Sequence, residues 1–503
     1  MPGLGKQFLR NVYTSWLGYA IRAVVAFLFV PYVTTVLGDS RYGVWVIIFQ
    51  TINYFSLLDI GMSSAITRYV SKFLSKRDFG GINRVLNTSN LAYLALGSLA
   101  LAGVYLFTVL FFDYFKIGDP ALAEEGRKAL LVLGLFIACS FYLLPFGNTL
   151  VAFQRQDIAA GLKLVEELVR TAIMVWLLSQ GYGLLSLALS LVAVSLARHL
   201  VALVWLKKLY PQLRFAPRLA NAATATMLLG YSKISFGITV AWLVIFNTDV
   251  FLLGLLNSAA AAGIYYPGAQ LLLHFRNLVN SIGTPLIPAI SHLDATASRS
   301  RINEVYFKGL RYTSYLSFLL AVGLIAYARS FVGLWLAPEF AETAVVIIVL
   351  AVGAAVFLPQ IIGNSVLFGI EKHRYVLYVL AVEAVAKIIL ALILVGKYGL
   401  LGMALASAIP QVVIYLSLFP WLLARQLQIS FVRLVWCELK SGLAAVMVAV
   451  PISILVRHLL PPDTWAGFAI NIAVVVLITG AIGYRFVLRP DDRLRVIEFF
   501  YRR

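Results

Sequence analysis

The chain has 503 residues, 61% of them hydrophobic and 13% charged, with a mean hydropathy of +0.90. A soluble domain carries about 25% charged residues, so no soluble class fits and the composition is that of a polytopic membrane protein. The net charge of +19 does not mark a nucleic-acid binder, because the cations fall in short loops between apolar runs, the pattern that orients membrane proteins.

Lys6 and Arg10, followed by an apolar run, mimic a signal peptide. The run outlasts the roughly 7–15-residue core of such a peptide and has no small-residue cleavage site, which predicts a retained first transmembrane helix. The opening holds two runs, about 12–37 and 44–66, joined by a five-residue turn, Gly38–Tyr42. Each run exceeds the roughly 20 residues a helix needs to cross a bilayer core. Arg22 lies in the first and Asp59 in the second. A charge at mid-membrane costs about 2.5–3.5 kcal/mol, so both are expected to face a partner or a watery cavity.

Further runs follow at about 88–112, 129–153, 158–179 and 183–206. A polar stretch, Lys207–Asn221, with Pro211 and Pro217, is the longest break. Runs resume at about 230–256, 262–288, 309–335, 341–368, 375–396, 399–424, 440–460 and 466–487, fourteen in all. This predicts an all-α fold: an N-terminal lobe over 1–206, a cytoplasmic linker over 207–229, a C-terminal lobe over 230–424, and two further helices with a basic tail over 425–503. With the N-terminus in the cytoplasm, inner segments outnumber outer ones in Lys and Arg by roughly four to one. An even helix count then places both termini in the cytoplasm, and no loop is long enough to hold a folded domain.

Residues 167–193 resemble 383–409 at a constant offset of 216. Glu167 lies over Glu383, and Tyr182-Gly183-Leu184-Leu185 over Tyr398-Gly399-Leu400-Leu401. A weaker echo links Leu37, Gly43 and Trp45 with Leu256, Gly263 and Tyr265. The halves read as duplicated six-helix units in parallel, which predicts a substrate site between them.

Basic residues deep in apolar runs are Arg22, Arg170, Arg198, Arg276 and Lys387; acidic ones are Asp59, Glu166, Glu167, Asp249 and Glu383. Glu166–Arg170 and Glu383–Lys387 stand at i,i+4 spacing. Two readings stand for these pairs: each neutralises itself so that its helix can insert, or its cation serves a ligand. Arg22 and Arg276 have no acid at i±3 or i±4 and favour an anionic guest, since guanidinium binds phosphate bidentately. The alternative for Arg22 is an interhelical pair with Asp59. Asp249 either binds a coupling cation or pairs with a lumen arginine, whereas Arg198 and His199 are close enough to Lys207 to snorkel outward. Several prolines interrupt the runs, and Gly283, Pro285 and Pro288 form the best hinge candidate.

The chain has no P-loop and no G-x-S-x-G. Its five histidines show no metal-ligand spacing, and Cys139 and Cys437 form no obvious pair. No metal, cofactor or enzymatic activity is expected.

Asn11, Pro31, Leu37-Gly38, Tyr42-Gly43, Trp45, Asp59-Ile60-Gly61 and Arg68-Tyr69, followed by Asp249, Leu253-Gly254, Gly263, Tyr265, Pro285, Pro288, Leu334-Trp335 and Tyr398-Gly399, resemble the polysaccharide transporter (Wzx-type) flippases of the multidrug/oligosaccharidyl-lipid/polysaccharide exporter superfamily. The resemblance runs through nearly the whole chain. It implies fourteen helices in two lobes, lumen arginines matching Arg22 and Arg276, and transport of an undecaprenyl-diphosphate-linked oligosaccharide across the bacterial inner membrane by alternating access. Arg170 and Lys387 are weaker candidates for the diphosphate, and Asp59 and Asp249 are candidates for Na+ or H+ coupling. Expected partners are the lipid-linked glycan, membrane lipid and polysaccharide polymerase and chain-length proteins, with no nucleic acid. A cation-coupled multidrug-type antiporter would need an acidic cavity, and a non-transporting lipid-binding scaffold is the third alternative.

Overall fold

The structure is a computed structural model that describes residues 2–486, apart from 60, 154, 230–232, 284–285 and 296–298; the side chains of 2–20, 22, 23, 26, 156, 229, 233–235 and 486 also lie outside the description. The described residues form α-helices and short 3-10 turns, with no strand among them. Polar and apolar residues are distributed as they are in a lipid solvent. Glu438, Gln360 and Asn471 are fully buried, while Val432, Leu477 and Met447 are 72%, 71% and 76% exposed. Nine helices among the described residues are long and apolar enough to cross a membrane, ten if one bent pair is a single span. The chain is a multi-pass membrane protein.

The chain divides into two compact units, Met1–Leu243 with Ser258–Gly263, and Val244–Asn257 with Ile264–Arg503. The first begins with α1 (Pro2–Phe55), which carries the first apolar run and most of the second. The expected five-residue turn is a break at one residue: Gly38 adopts φ 70°, ψ 178°, a combination essentially closed to side chains with a Cβ. Helix resumes at once, with the Asp39 carboxylate accepting from the Ser40 N–H at 2.6 Å. The helix ends in a 3-10 turn, Ser56–Asp59, ahead of α2 (Met62–Ser75), so the second run is itself broken.

Next come α3 (Phe79–Leu110), α4 (Pro120–Ala152), α5 (Gln156–Ser179), α6 (Leu184–Leu209) and the short α7 (Ala222–Leu229). Asp78 caps α3 through the Gly81 N–H (2.7 Å), and Asp119 caps α4 through the Ala121 N–H (2.9 Å), with Pro120 as the first helical residue. Small residues let the helices approach closely: a Cβ on Gly97 of α3 would lie 2.8 Å from the Ala138 carbonyl oxygen of α4. α5 is not among the nine apolar helices; Lys163, Glu166, Glu167 and Arg170 all lie within it.

The expected linker is strapped to α3. Asn83 and Asn87, one helical turn apart, bind the backbone beyond α6 as a neighbouring strand would. Asn83 donates to the Gln212 carbonyl (3.2 Å) and accepts from the Arg214 N–H (2.9 Å). Asn87 donates to the Arg214 carbonyl and accepts from the Ala216 N–H, both at 2.7 Å. Thr88 accepts from the Asn221 N–H at 3.0 Å.

The remaining helices are α8 (Lys233–Leu256), α9 (Ala259–Gly283), α10 (Leu286–Ala295), α11 (Arg299–Trp335), α12 (Thr343–Phe357), α13 (Ile361–Gly369), α14 (Arg374–Leu416), α15 (Leu418–Leu427), α16 (Phe431–Leu459) and α17 (Trp465–Phe486). In the second unit α11 packs on α12, α16 and α17, and α12 packs on α14. Gly399, at φ 54°, divides α14 into two arms at the boundary between two apolar runs. In the run over 262–288, α9 is described to Gly283 and α10 from Leu286; of the hinge candidates, Pro285 lies outside the described residues, Gly283 is buried and Pro288 is exposed in the first turn of α10.

The glycines of the weaker sequence echo meet within the first unit. A Cβ on Gly43 would fall 1.8 Å from the Ala259 carbonyl oxygen, and one on Gly263 would fall 2.9 Å from the Gly43 nitrogen. Gly43→Val and Gly263→Val are each expected to cost more than the roughly 1–3 kcal/mol of ordinary overpacking, because backbone cannot step aside. Size-exclusion profiles and melting temperatures in detergent check this; a monodisperse variant with an unchanged melting temperature would refute the close contact. Asn83→Ala with Asn87→Ala strips partners from four linker backbone groups, at about 1–3 kcal/mol for each that stays dry. Faster tryptic cleavage after Lys208, Arg214 and Arg218 is the expected sign, and an unchanged cleavage rate would show that the two asparagines do not hold the linker.

Candidate functional site

Helical periodicity gathers the deep charges of the second unit around one cavity. Asp249 lies on α8. On α9, Ala269, Leu272, Leu273 and Arg276 share one face; on α14, Lys387 stands in the first arm and Ser407 and Gln411 are one turn apart in the second. All of these residues line a cavity of about 60 Å³, closed on other sides by Phe246, Leu350 and Phe357. That space holds a handful of waters, at roughly 10–15 Å³ each.

Lys387 and Asp249 form a buried ion pair. The ammonium also donates to the Ile245 carbonyl. The Asp249 carboxylate accepts from the Tyr265 hydroxyl at 2.7 Å and from Ser407 at 3.4 Å. The Arg276 guanidinium lies over the Phe246 ring, 4.0 Å from its centroid, a cation–π arrangement that holds it at the cavity wall. Glu383, buried behind this group, accepts from the Tyr415 hydroxyl at 2.9 Å.

The expected i,i+4 pairs do not form. Arg170 binds Glu167, three residues away, and Glu166 turns to α6, where it accepts from Ser195 and pairs with Arg198 at 2.7 Å. Lys387 binds Asp249 of α8 rather than Glu383 of its own helix. In each case a partner on a neighbouring helix or one residue nearer has the better geometry, and sequence spacing along one helix cannot weigh it. Arg198 and His199 do not snorkel to water: Arg198 is held by Glu166, and His199 is buried with its Nδ1 2.8 Å from the Ser195 carbonyl oxygen. At the offset of 216, Ser195 and His199 lie over Gln411 and Tyr415. In both stretches a carboxylate thus faces polar groups of the following helical segment, α6 for Glu166 and the second arm of α14 for Glu383, with the acid displaced by one residue.

Asp59 sits in the 3-10 turn before α2. Its carboxylate accepts from the Ser63 N–H (3.2 Å), the Ser63 hydroxyl (3.0 Å) and the Tyr93 hydroxyl. An anion at a helix start, facing its N–H groups, is favoured by the helix dipole. Arg22 lies on α1, and its side chain is outside the described residues.

The polysaccharide biosynthesis protein family model matches residues 8–294, and the lipid II flippase MurJ model matches residues 166–475. The uncharacterised membrane protein EpsK of Bacillus subtilis (strain 168) is 21% identical over 501 residues, covering 98% of both chains. An uncharacterised membrane protein of Methanocaldococcus jannaschii is 21% identical over 453 residues, covering 84% of this chain and 85% of its own. Among solved structures, the inward closed conformation of lipid II flippase MurJ superposes with a TM-score of 0.70 at 16% identity, covering 94% of this chain and 99% of its own. An inward-facing multidrug resistance MATE family transporter of the MOP superfamily superposes at 0.64 and 14% identity, covering 81% of this chain and 94% of its own. Family models that each span more than half of the sequence, together with a shared flippase and transporter fold, lead to one conclusion: the chain belongs to the polysaccharide biosynthesis protein family of multi-pass membrane proteins.

Proposed function

We propose that the chain is a flippase that carries an undecaprenyl-diphosphate-linked oligosaccharide from the inner to the outer leaflet of the bacterial cytoplasmic membrane, with both termini in the cytoplasm. The observation that carries this reading is the charge of the cavity in the second unit: two cations, Arg276 and Lys387, against one carboxylate, Asp249. Lys387 pairs with Asp249, and Arg276, which also interacts with the buried Glu383, adds a second cation to an otherwise largely apolar wall. Diphosphate is the group that such a wall favours. A multidrug-type antiporter needs the opposite sign.

Arg276 is assigned to the diphosphate; Arg22, whose side chain lies outside the described residues, remains a candidate from the sequence. Arg170 and Lys387 contribute only when their pairs with Glu167 and Asp249 open. A cavity of about 60 Å³ is too tight for a diphosphate, so the transport cycle must widen it; Gly283 and Pro288, the hinge candidates of the sequence, mark where a bend is cheapest. A polysaccharide polymerase and chain-length proteins are the partners that would receive the product. Of the two carboxylates considered for ion coupling, Asp59 already has hydroxyl and N–H donors, and Asp249 has the Lys387 ammonium where a coupling cation would sit. While that pair is closed, the Lys387 ammonium takes the place of a sodium ion at Asp249.

In a strain that depends on this glycan, Arg276→Ala is expected to abolish surface glycan at equal protein level, and Arg276→Lys to keep part of it, since charge persists without the bidentate fork. Full surface glycan in Arg276→Ala cells would overturn the assignment. Replacing sodium by choline at fixed pH is expected to leave the flipping rate unchanged, and a proportional loss of rate would contradict the filled site at Asp249. Lys387→Met strands a buried carboxylate and is expected to cost about 3–5 kcal/mol, most of which Asp249→Leu restores in the double variant; thermal unfolding in detergent reads both.

A further inference from the structure

A second cavity, of about 630 Å³, lies in the same unit between the start of α11 and the junction of α15 with α16. Its volume is within the roughly 300–1,000 Å³ of small-molecule sites. Arg299, Lys308 and Arg433 line it, against the single carboxylate of Glu304. Arg299 is tethered through the Gln426 carbonyl at 2.6 Å, and the Arg433 guanidinium lies over the Phe307 ring, 5.0 Å from its centroid. Both heads are thereby placed without being neutralised by those contacts. Asn303 donates weakly to the Leu427 carbonyl at 3.5 Å, while its own Oδ1 is buried and receives no hydrogen bond. A buried acceptor without a donor costs about 1–3 kcal/mol, so the cavity is built for a guest that brings both an anion and a hydroxyl.

The surrounding chain places this cavity at headgroup depth. Arg301, Arg311, Arg425 and Lys440 lie nearby in sequence, on the segments that charge bias assigns to the cytoplasm. Basic pockets between helices on that side take anionic lipid headgroups. We propose that this cavity binds the phosphoglycerol headgroup of an inner-leaflet anionic phospholipid: Arg299 and Arg433 take the phosphate oxygens, and a glycerol hydroxyl donates to the Asn303 Oδ1. The site is separate from the Arg276 cavity and rests only on the membrane orientation used for the flippase reading. Arg276→Ala is expected to leave this lipid binding intact, so failure of one proposal is distinguishable from failure of the other.

The test uses the full-length protein in nanodiscs of phosphatidylcholine, with or without phosphatidylglycerol or phosphatidic acid, read by native mass spectrometry and melting temperature. Phosphatidylglycerol is expected to bind in preference to phosphatidic acid and to raise the melting temperature by several degrees over phosphatidylcholine alone. Arg299→Gln with Arg433→Gln is expected to lose about thirtyfold in affinity, equivalent to about 1 kcal/mol per cation, while melting like the unchanged protein in phosphatidylcholine. Glu304→Gln, an exposed change, is expected to tighten binding several-fold, and Asn303→Leu to erase the preference for phosphatidylglycerol over phosphatidic acid. Equal melting temperatures with and without phosphatidylglycerol, or undiminished binding in the double arginine variant, would overturn the proposal. So would free glycerol phosphate giving the same shift in phosphatidylcholine discs, because the ligand would then be a soluble anion.

Discussion

A charge cannot rest in hydrocarbon unless another group in the protein answers it, and that constraint orders this molecule. A lone charge at mid-bilayer costs about 2.5–3.5 kcal/mol to insert. The chain meets the cost by pairing: Lys387 with Asp249, Glu166 with Arg198, Arg170 with Glu167. Asp59 is answered by a helix start and two hydroxyl groups. The guanidinium of Arg276 lies against the ring of Phe246 at the wall of its cavity, with the buried Glu383 carboxylate close enough to interact with it.

Transport asks for the opposite of stability at the same place. A pair such as Lys387–Asp249 rigidifies the interior, since each partner alone is costly to bury. A site that must accept and release a diphosphate needs a cation whose resting contact is easily exchanged. A cation–π contact suits that need: it is worth about 0.5–2 kcal/mol, less than a buried ion pair yields when broken. The pairs hold the helices in place, and under the proposed function Arg276 exchanges its ring contact for the ligand.

Much of the fold was legible in the sequence because its signals are one-dimensional. Apolar runs, their lengths and the side on which Lys and Arg collect follow from bilayer thickness and leaflet charge. Gly38 and Gly399 stood at run boundaries, and the structure places the helix breaks there. The partners of the charges were not legible. Glu166 has Arg170 at i+4 but finds Arg198 on the next helix, and Lys387 passes over Glu383 for Asp249, far away in sequence. Choosing between such partners depends on which faces of two helices meet, which a periodic pattern leaves open. The asparagines that strap the linker were equally silent, because Asn83 and Asn87 in an amphipathic segment carry no motif. Asp59 was legible as an anomaly; its role in starting α2 was hidden by the unbroken apolar run around it.

The central claim is that Arg276 recognises a lipid-borne diphosphate, and direct binding tests it. The purified protein in nanodiscs would be titrated with undecaprenyl-diphosphate oligosaccharide and with the same lipid-linked sugar lacking phosphate. The account predicts a strong preference for the diphosphate form, reduced at least about tenfold, or about 1.4 kcal/mol, by Arg276→Ala. Equal affinity for the two lipids, or a preference that survives the loss of Arg276, would contradict it.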